Sequence, residues 1–294
     1  MILVTGGTGF VGPKIVHAVR AEGRPVRALA RRPERHEQLR AWGCQIVRGD
    51  MTDADSLRAA VEGCEAVVHL VAVPPFSGDA TIDRVMIQGT DDLVSAAEGA
   101  GVGRFVLMSA LGTSAETREI APYYRGKWEM EQRVEASPLA HTIFRPSFVF
   151  GRDGGILGDL VRATRLSPVA PVISERKMQP IWVEDVAAFY AASLVLGERA
   201  NGTWEIAGPD VVTWGELGER VRRRLGKRRL AVRVPTGLLN AAAAVGELLP
   251  PFRGARAAVR MLGHSDNVTE IRPAVEAFGI EPISLDEQIR RATT

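Results

Sequence analysis

The sequence predicts a doubly wound parallel α/β sheet followed by a small C-terminal lobe, and three observations carry that prediction. Short apolar runs alternate with helical patterns through the first half of the chain, which implies crossover connections and helices on both faces of a sheet. Runs such as Val67–Val71 and Phe105–Met108 are almost wholly apolar, as strands buried on both faces are. A glycine-rich loop, Thr5–Gly12, joins the first apolar run to the first helical pattern.

The elements follow in order. Ile2–Val4 reads as a strand and Pro13–Glu22 as a helix whose Ile15, Val16 and Val19 share one face. Val26–Leu29 is a strand and Glu34–Trp42 a helix; Gln45–Val47 is a strand and Asp53–Val61 a helix. Ala66–Val71 is a strand, followed by a helix from about Ile82 to Glu98. Phe105–Met108, helix Pro122–Glu135 and Thr142–Phe144 complete the regular part. Glycine, proline and arginine are frequent from Arg152 to Pro180, which reads as loops and one short helix. Glu184–Leu196 is a helix and Thr203–Ile206 a short strand. Thr213–Leu225 is a helix opened by Thr213, with Glu216 three residues on as a capping box. The tail reads as a small helical lobe.

The loop Thr5-Gly6-Gly7-Thr8-Gly9-Phe10-Val11-Gly12 fits both GxxGxxG and GxGxxG, directly after a strand and directly before a helix. That context makes it a dinucleotide loop. One glycine allows the tight turn, another lets backbone N–H groups approach a pyrophosphate, and the last permits close helix–strand packing. The helix N-terminus offers unpaired donors to the phosphates, and Pro13 suits its first turn. Residues 1–150 are thus expected to form a dinucleotide-binding Rossmann domain, with the remaining sheet elements and a substrate or partner lobe in 151–294. The second strand runs into Arg31-Arg32, with no carboxylate before Glu34. An acid there would hold a ribose 2′-hydroxyl, whereas arginine accommodates a 2′-phosphate, so NADP(H) is expected in preference to NAD(H). The alternative is that Arg31 and Arg32 are solvated surface residues. Asp50, followed by Met51, ends the third strand and is placed to accept from an adenine amino group, or else is a turn or N-cap residue beside Asp53 and Asp55.

Tyr123 and Lys127 are spaced to lie on one helix face. With Thr5–Gly12, Arg104–Ser109, Tyr123–Lys127, Phe144–Ser147 and Gln179–Ala187, the chain resembles the short-chain dehydrogenase/reductase superfamily in its extended and atypical branches. Gly202–Pro209 and Ser265–Val268 are similar to segments of nucleoside-diphosphate-sugar-epimerase-like proteins grouped with the nucleotide-binding accessory subunit of respiratory complex I. The resemblance implies that Tyr123 is the proton donor or acceptor and that Lys127 lowers its pKa and holds the nicotinamide ribose. It implies that Leu70, Val71 and Ala72 cover the cofactor ribose and that Pro146, Ser147 and Phe148 border the nicotinamide. The family's catalytic serine position falls on Ala110, with Ser109 one residue early and Thr113 and Ser114 later. The family's asparagine falls on Met86, before Gly89-Thr90. Two functions follow: an NADP(H)-dependent oxidoreductase or epimerase-like enzyme, or a non-catalytic dinucleotide-binding redox sensor or assembly factor.

Other chemistries are set aside. The five histidines show no metal spacing, and neither GxSxG nor GxxxxGK[ST] occurs. Cys44 and Cys64 form no CxxC pair, which suits a reducing cytoplasm. No signal peptide and no apolar run of about twenty residues is visible. The net charge of +2 is uneven: eleven basic residues lie between Arg220 and Arg260, with Glu247 the single acid there. That segment is a solvated face, an attractor for an anionic small-molecule substrate, or a docking surface for a membrane or partner protein helped by Leu238–Leu249. It lacks the interleaved aromatics of a nucleic-acid site. The expected location is cytoplasmic, or peripheral to a membrane.

Overall fold

The computed structural model of the protein describes residues 1–75, 77–166, 169–172, 176–226, 230–233, 241, 243–245 and 255–294. Seven strands build the central sheet: β1 (Ile2–Thr5), β2 (Val26–Ala30), β3 (Gln45–Arg48), β4 (Ala66–His69), β5 (Arg104–Met108), β6 (Ala140–Pro146) and, later in the chain, Gly202–Ile206. All six pairings between them are parallel. The order, with Gly202–Ile206 called β11, is β11-β6-β5-β4-β1-β2-β3. The order reverses at β1, so the crevice beyond the carboxyl ends of β1 and β4 is the topological switch point where such sheets bind ligands. The doubly wound fold class is therefore as expected.

The pleat sends alternate side chains to opposite faces. Ile2, Val4 and Val68 pack with α1 (Gly12–Ala21) and with Val186, Phe189 and Tyr190 of the long helix Val183–Leu196. Leu3, Val67, Phe105 and Leu107 face α3 (Ala54–Val61), α5 (Gly89–Gly99) and α6 (Pro122–Glu135) through Leu57, Leu93, Met130 and Val134.

Three local expectations are corrected. The helix expected over Glu34–Trp42 is a 3₁₀ turn, Pro33–Arg35, and a short α2, Glu37–Ala41. His36, at φ −121° and ψ 53°, is not helical and breaks it. The helix expected from Ile82 starts at α4 (Asp79–Ile82) and passes through a π-helical turn, Asp83–Gln88, before α5. At the end of that turn Gly89 lies against Met51, where an added Cβ would come within 2.6 Å of the Met51 carbonyl oxygen.

The tail is not purely helical. Short pairs form between β7 (Val149–Phe150) and β10 (Ile181–Trp182), β9 (Lys177–Met178) and β12 (Val212–Thr213), and β8 (Val169–Val172) and β13 (Leu230–Arg233). Among them run α7 (Gly155–Leu166), α8 (Val183–Leu196), α9 (Trp214–Arg224), α10 (Ala255–His264), α11 (Arg272–Phe278) and α12 (Leu285–Thr293). The lobe has its own core of Phe150, Leu157, Trp182, Leu217 and Ile289. The capping box at Thr213 and Glu216 forms as read. Of the basic segment, Lys227, Arg228, Arg229, Arg253 and most of Leu238–Leu249 lie outside the described residues. Within it Arg220 pairs with Asp286 and Arg222 with Glu219. No helix among the described residues is long and apolar enough to cross a membrane.

Candidate functional site

The glycine loop leaves β1 through Gly6, whose φ of +75° is the left-handed region that suits glycine. The Gly9 N–H donates to the Gly6 carbonyl at 3.1 Å and closes the turn. A Cβ on Gly12 would lie 2.2 Å from the Gly6 oxygen, so this glycine lets α1 sit on the loop. Gly6 itself lies against the Leu70–Val71 backbone, 3.0 Å from a Cβ built on it. Gly9 differs. Its φ is ordinary, and a Cβ there would meet nothing nearer than the Gly6 oxygen at 3.4 Å. The protein's own packing makes no demand for glycine at 9, and the bare backbone there is a cradle that a side chain would fill. No side chain caps α1, Val11 holding its N-cap position, and no acid stands in its first turn. This donor set fits a pyrophosphate.

Gly7 packs against Val4 and Val16. Val11 is half-buried on the α1 side of the sheet. The Phe10 ring sits against Gly151, Gly154 and Gly155, where added Cβ atoms would come within 2.8 to 3.0 Å of ring carbons. Thr8, Gly9 and Phe10 also line a cavity of about 1100 Å³ with Lys14, Trp42 and Arg152 on the outer face of α1. That cavity includes none of Ser109, Tyr123 and Lys127, so it is not where those polar side chains lie.

Arg31 and Arg32 follow β2 at the carboxyl edge and are exposed. Arg48 spans the neighbouring strand end, donating to the Arg31 carbonyl at 3.4 Å and pairing with Glu34 at 3.3 Å, which takes the nearby carboxylate away from the two guanidinium groups. Asp50 accepts the Thr52 N–H and hydroxyl on one carboxylate oxygen, each at 2.9 Å. Asp53, not Asp50, is the N-cap of α3. Met51 is buried against Gly89, so its side chain belongs to the core. Leu70 is buried, Val71 half-buried and Ala72 exposed beyond β4.

Pro122 opens α6, and Tyr123 and Lys127 stand one turn apart on it. Lys127 is 1% exposed, donates from Nζ to the Met108 carbonyl at 2.6 Å, and lies 5.8 Å from the centre of the Tyr123 ring. Burial brings the Lys127 ammonium down to a pKa of about 8, against the opposing pull of Glu131. Glu131 is fully buried and held by Arg145 through two hydrogen bonds, of 2.9 and 2.6 Å. Half-buried Tyr123 has its phenol pushed above the usual tyrosine range by burial and by neighbouring Tyr124. This is opposite to the lowering expected from Lys127: the cation is committed to a carbonyl, and desolvation dominates.

Ser109 is 3% exposed and donates to Thr113 Oγ1 at 3.3 Å, while Thr113 donates to the Ala110 carbonyl at 2.8 Å. Its hydroxyl is engaged within the turn after β5, and no hydrogen bond among the described residues joins it to Tyr123 or Lys127. Met86 is fully buried against Gly126 of α6, an apolar contact where the family pattern has an amide. A buried polar chain crosses behind the cradle: Thr5 Oγ1 is 2.6 Å from His69 Nδ1, and His69 Nε2 is 3.0 Å from Thr90 Oγ1. Burial, and then Lys127, bring the His69 pKa down to about 3, so the ring is neutral.

Pro146 ends β6 and Ser147 follows, 4% exposed, with its N–H on the Ile206 carbonyl of β11. Phe148 is half-buried, edge-on to Trp214 of the lobe. A tail residue not singled out from sequence meets them: Ser147 Oγ donates to Asn267 Oδ1 at 2.6 Å, and Asn267 Nδ2 donates to the Leu111 carbonyl at 3.2 Å. The only sequence signal for it was the resemblance over Ser265–Val268.

Residues 6–195 match the family described as NAD(P)H-binding. The chain is 30% identical to a ceramide reductase of Caulobacter vibrioides over 83% of its own length and 77% of that protein. It is 26% identical to the photosystem II assembly factor Ycf39 of Cyanophora paradoxa over 82% of this chain and 74% of that one. The fold superposes on the Citrobacter sp. triphenylmethane reductase complexed with NADP(H) with a TM-score of 0.79 at 18% identity, covering 99% of each chain. The bare glycine cradle, the sheet's switch point and this match agree: the chain belongs to the NAD(P)H-binding family, within the oxidoreductases and epimerase-like proteins of the atypical short-chain dehydrogenase/reductase superfamily.

Proposed function

We propose that the protein is an NADP(H)-preferring reductase of carbonyl compounds in which Tyr123 is the proton donor. The observation that supports this most directly is the Tyr123–Lys127 pair on α6, with a phenol that burial holds protonated. A protonated phenol suits donation to a carbonyl oxygen better than abstraction from an alcohol. Gly6, Gly9, Gly12 and the first turn of α1 would hold the pyrophosphate, and Arg31 the 2′-phosphate. When bound, the reduced nicotinamide supplies a hydride to the carbonyl carbon. Tyr123 gives its proton to the carbonyl oxygen, and Lys127, cationic at neutral pH, stabilises the phenolate left behind. The similarity to a ceramide reductase favours an apolar, lipid-like substrate.

The test is NADPH oxidation followed by absorbance over a panel of apolar ketones and quinones. Tyr123→Phe is expected to lower kcat by about 10²–10⁴-fold while leaving NADPH affinity near wild type. Turnover that survives this substitution would overturn the reading.

A second reading is favoured by two observations. Ala110 and Met86 stand where the family carries polar groups, with Ser109 engaged by Thr113, and the chain is similar to an assembly factor. A non-catalytic dinucleotide-binding protein would bind NADPH with comparable affinity and oxidise it with none of the panel.

A further inference from the structure

The segment from Ser265 to Glu270 is folded inside out. Its inward residues, Asn267 and Thr269, are polar and half-buried, whereas Ser265, Asp266, Val268 and Glu270 are exposed, apolar Val268 at 38%. A segment covering an apolar core shows the reverse alternation. Polar side chains turned inward are retained for what they bond to.

The backbone of this strap is pinned independently of the Asn267 side chain. The Asn267 N–H donates to the Lys177 carbonyl at 2.8 Å, and Gln179 N–H donates to the Asn267 carbonyl at 3.1 Å. The Thr269 N–H donates to Gln179 Oε1 at 2.9 Å, and Lys177 N–H to Asp266 Oδ1 at 3.0 Å. The Asn267 amide is then free to bridge two other places: Ser147 after β6 and the Leu111 carbonyl after β5. Both loops leave the carboxyl edge of the sheet, where Lys127 donates to the Met108 carbonyl at the end of β5. A primary amide accepts at one atom and donates at the other, which this bridge requires.

We propose that Asn267 is the positioning residue for the nicotinamide end of the dinucleotide: the Leu111 N–H already holds the loop after β5 to the Pro146 carbonyl at 2.9 Å, and the Asn267 amide fixes the Leu111 carbonyl and the Ser147 hydroxyl beside that bond. This rests on the dinucleotide reading above. Aspartate at 267 would still accept from Ser147 but would turn an oxygen toward the Leu111 carbonyl, so the bridge opens without loss of volume.

The experiment compares two ligands on the whole chain: NADPH, and 2′-phospho-ADP-ribose, which lacks the nicotinamide ring. In Asn267→Asp, NADPH affinity is expected to fall about tenfold, the scale of a lost hydrogen bond, and the enhancement of NADPH fluorescence on binding to shrink. Binding of 2′-phospho-ADP-ribose should stay within about twofold of wild type, on the same scale. Ser147→Ala, which removes one arm of the bridge without adding charge, should show the same selective loss if Asn267→Asp fails to fold. Equal weakening of both ligands would make Asn267 merely structural, and no weakening of either would overturn the proposal. If the wild-type protein binds neither ligand, the dinucleotide reading has failed and the role of Asn267 falls with it.

Discussion

Gly12 and Gly9 stand three residues apart in one loop, yet the structure assigns them different reasons for being glycine. Alanine at 12 would place its Cβ 2.2 Å from the Gly6 oxygen and 2.5 Å from the Gly7 carbonyl carbon. Ordinary carbon contacts begin near 3.5 Å, so the loop must retreat by roughly 1 Å. Both obstacles are backbone, with no rotamer to yield. Overpacking of this kind costs about 1–3 kcal/mol, or a fall in Tm of roughly 2–4 °C for each kcal/mol. A 1 Å displacement of phosphate-binding groups should also weaken NADPH binding by at least about tenfold. Alanine at 9 meets nothing closer than 3.4 Å at an ordinary φ. It should leave Tm unchanged or raise it slightly, by up to about 1 kcal/mol of stability, since it restricts the unfolded chain. Its methyl group nevertheless occupies the cradle, so NADPH affinity should still fall by about tenfold, a change of roughly 1.4 kcal/mol. Differential scanning calorimetry and fluorescence titration on the two variants separate the roles. An unchanged Tm in Gly12→Ala refutes the packing argument, and an unchanged affinity in Gly9→Ala refutes the cradle.

Three further outcomes are expected. Arg31→Ala should remove about 1.5–3 kcal/mol from NADPH binding and leave NADH untouched; equal titration curves for the two cofactors in the wild type would show that Arg31 holds no phosphate. His69 has a folded pKa of about 3 against 6.5 unfolded, so below the unfolded value the unfolded state binds more protons and stability decreases as the pH is lowered. From about pH 7 to about pH 5 the loss is roughly 2 kcal/mol, visible as a shift in urea midpoint that His69→Gln should flatten. Glu131→Ala leaves Arg145, 20% exposed, with Glu205 at 3.9 Å as its remaining ion pair among the described residues, and should destabilise the fold by about 3 kcal/mol; a urea curve within error of wild type would show the pair to be dispensable.

The inner strands β1, β4 and β5 were legible because strands buried on both faces leave nearly unbroken apolar runs, and the glycine loop because its function requires a fixed spacing after one of them. The two-residue strands Val149–Phe150, Lys177–Met178 and Ile181–Trp182 were not, since two residues carry no period. The break at His36 was hidden for a related reason: a 3₁₀ turn and a short helix share the spacing of one longer helix. In the site, Tyr123 and Lys127 could be paired from their i, i+4 spacing, whereas the direction of the tyrosine's pKa could not. It depends on how far the fold buries the phenol, and then on neighbouring Tyr124, and burial is not written in the spacing. Asn267 and Ser147 are 120 residues apart, and nothing local marks either as the other's partner. Phe10 reads as an ordinary member of the glycine loop until Gly151, Gly154 and Gly155 fold around its ring.

The placing of β11 beside β6 bears on how the molecule is made. β6 is complete at Pro146, but the strand that covers its outer edge ends at Ile206. During synthesis at about 5–20 residues per second, the roughly sixty residues between them take some 3–12 s. Throughout that interval the edge from Thr142 to Pro146 has no strand to accept or donate its hydrogen bonds, and it carries buried Ile143 and Phe144. An unpaired, apolar edge is a template for pairing with another chain. The lobe residues Val149 to Leu196 are therefore made while the sheet is still open, and the nascent protein depends on β11 arriving before a neighbouring chain does.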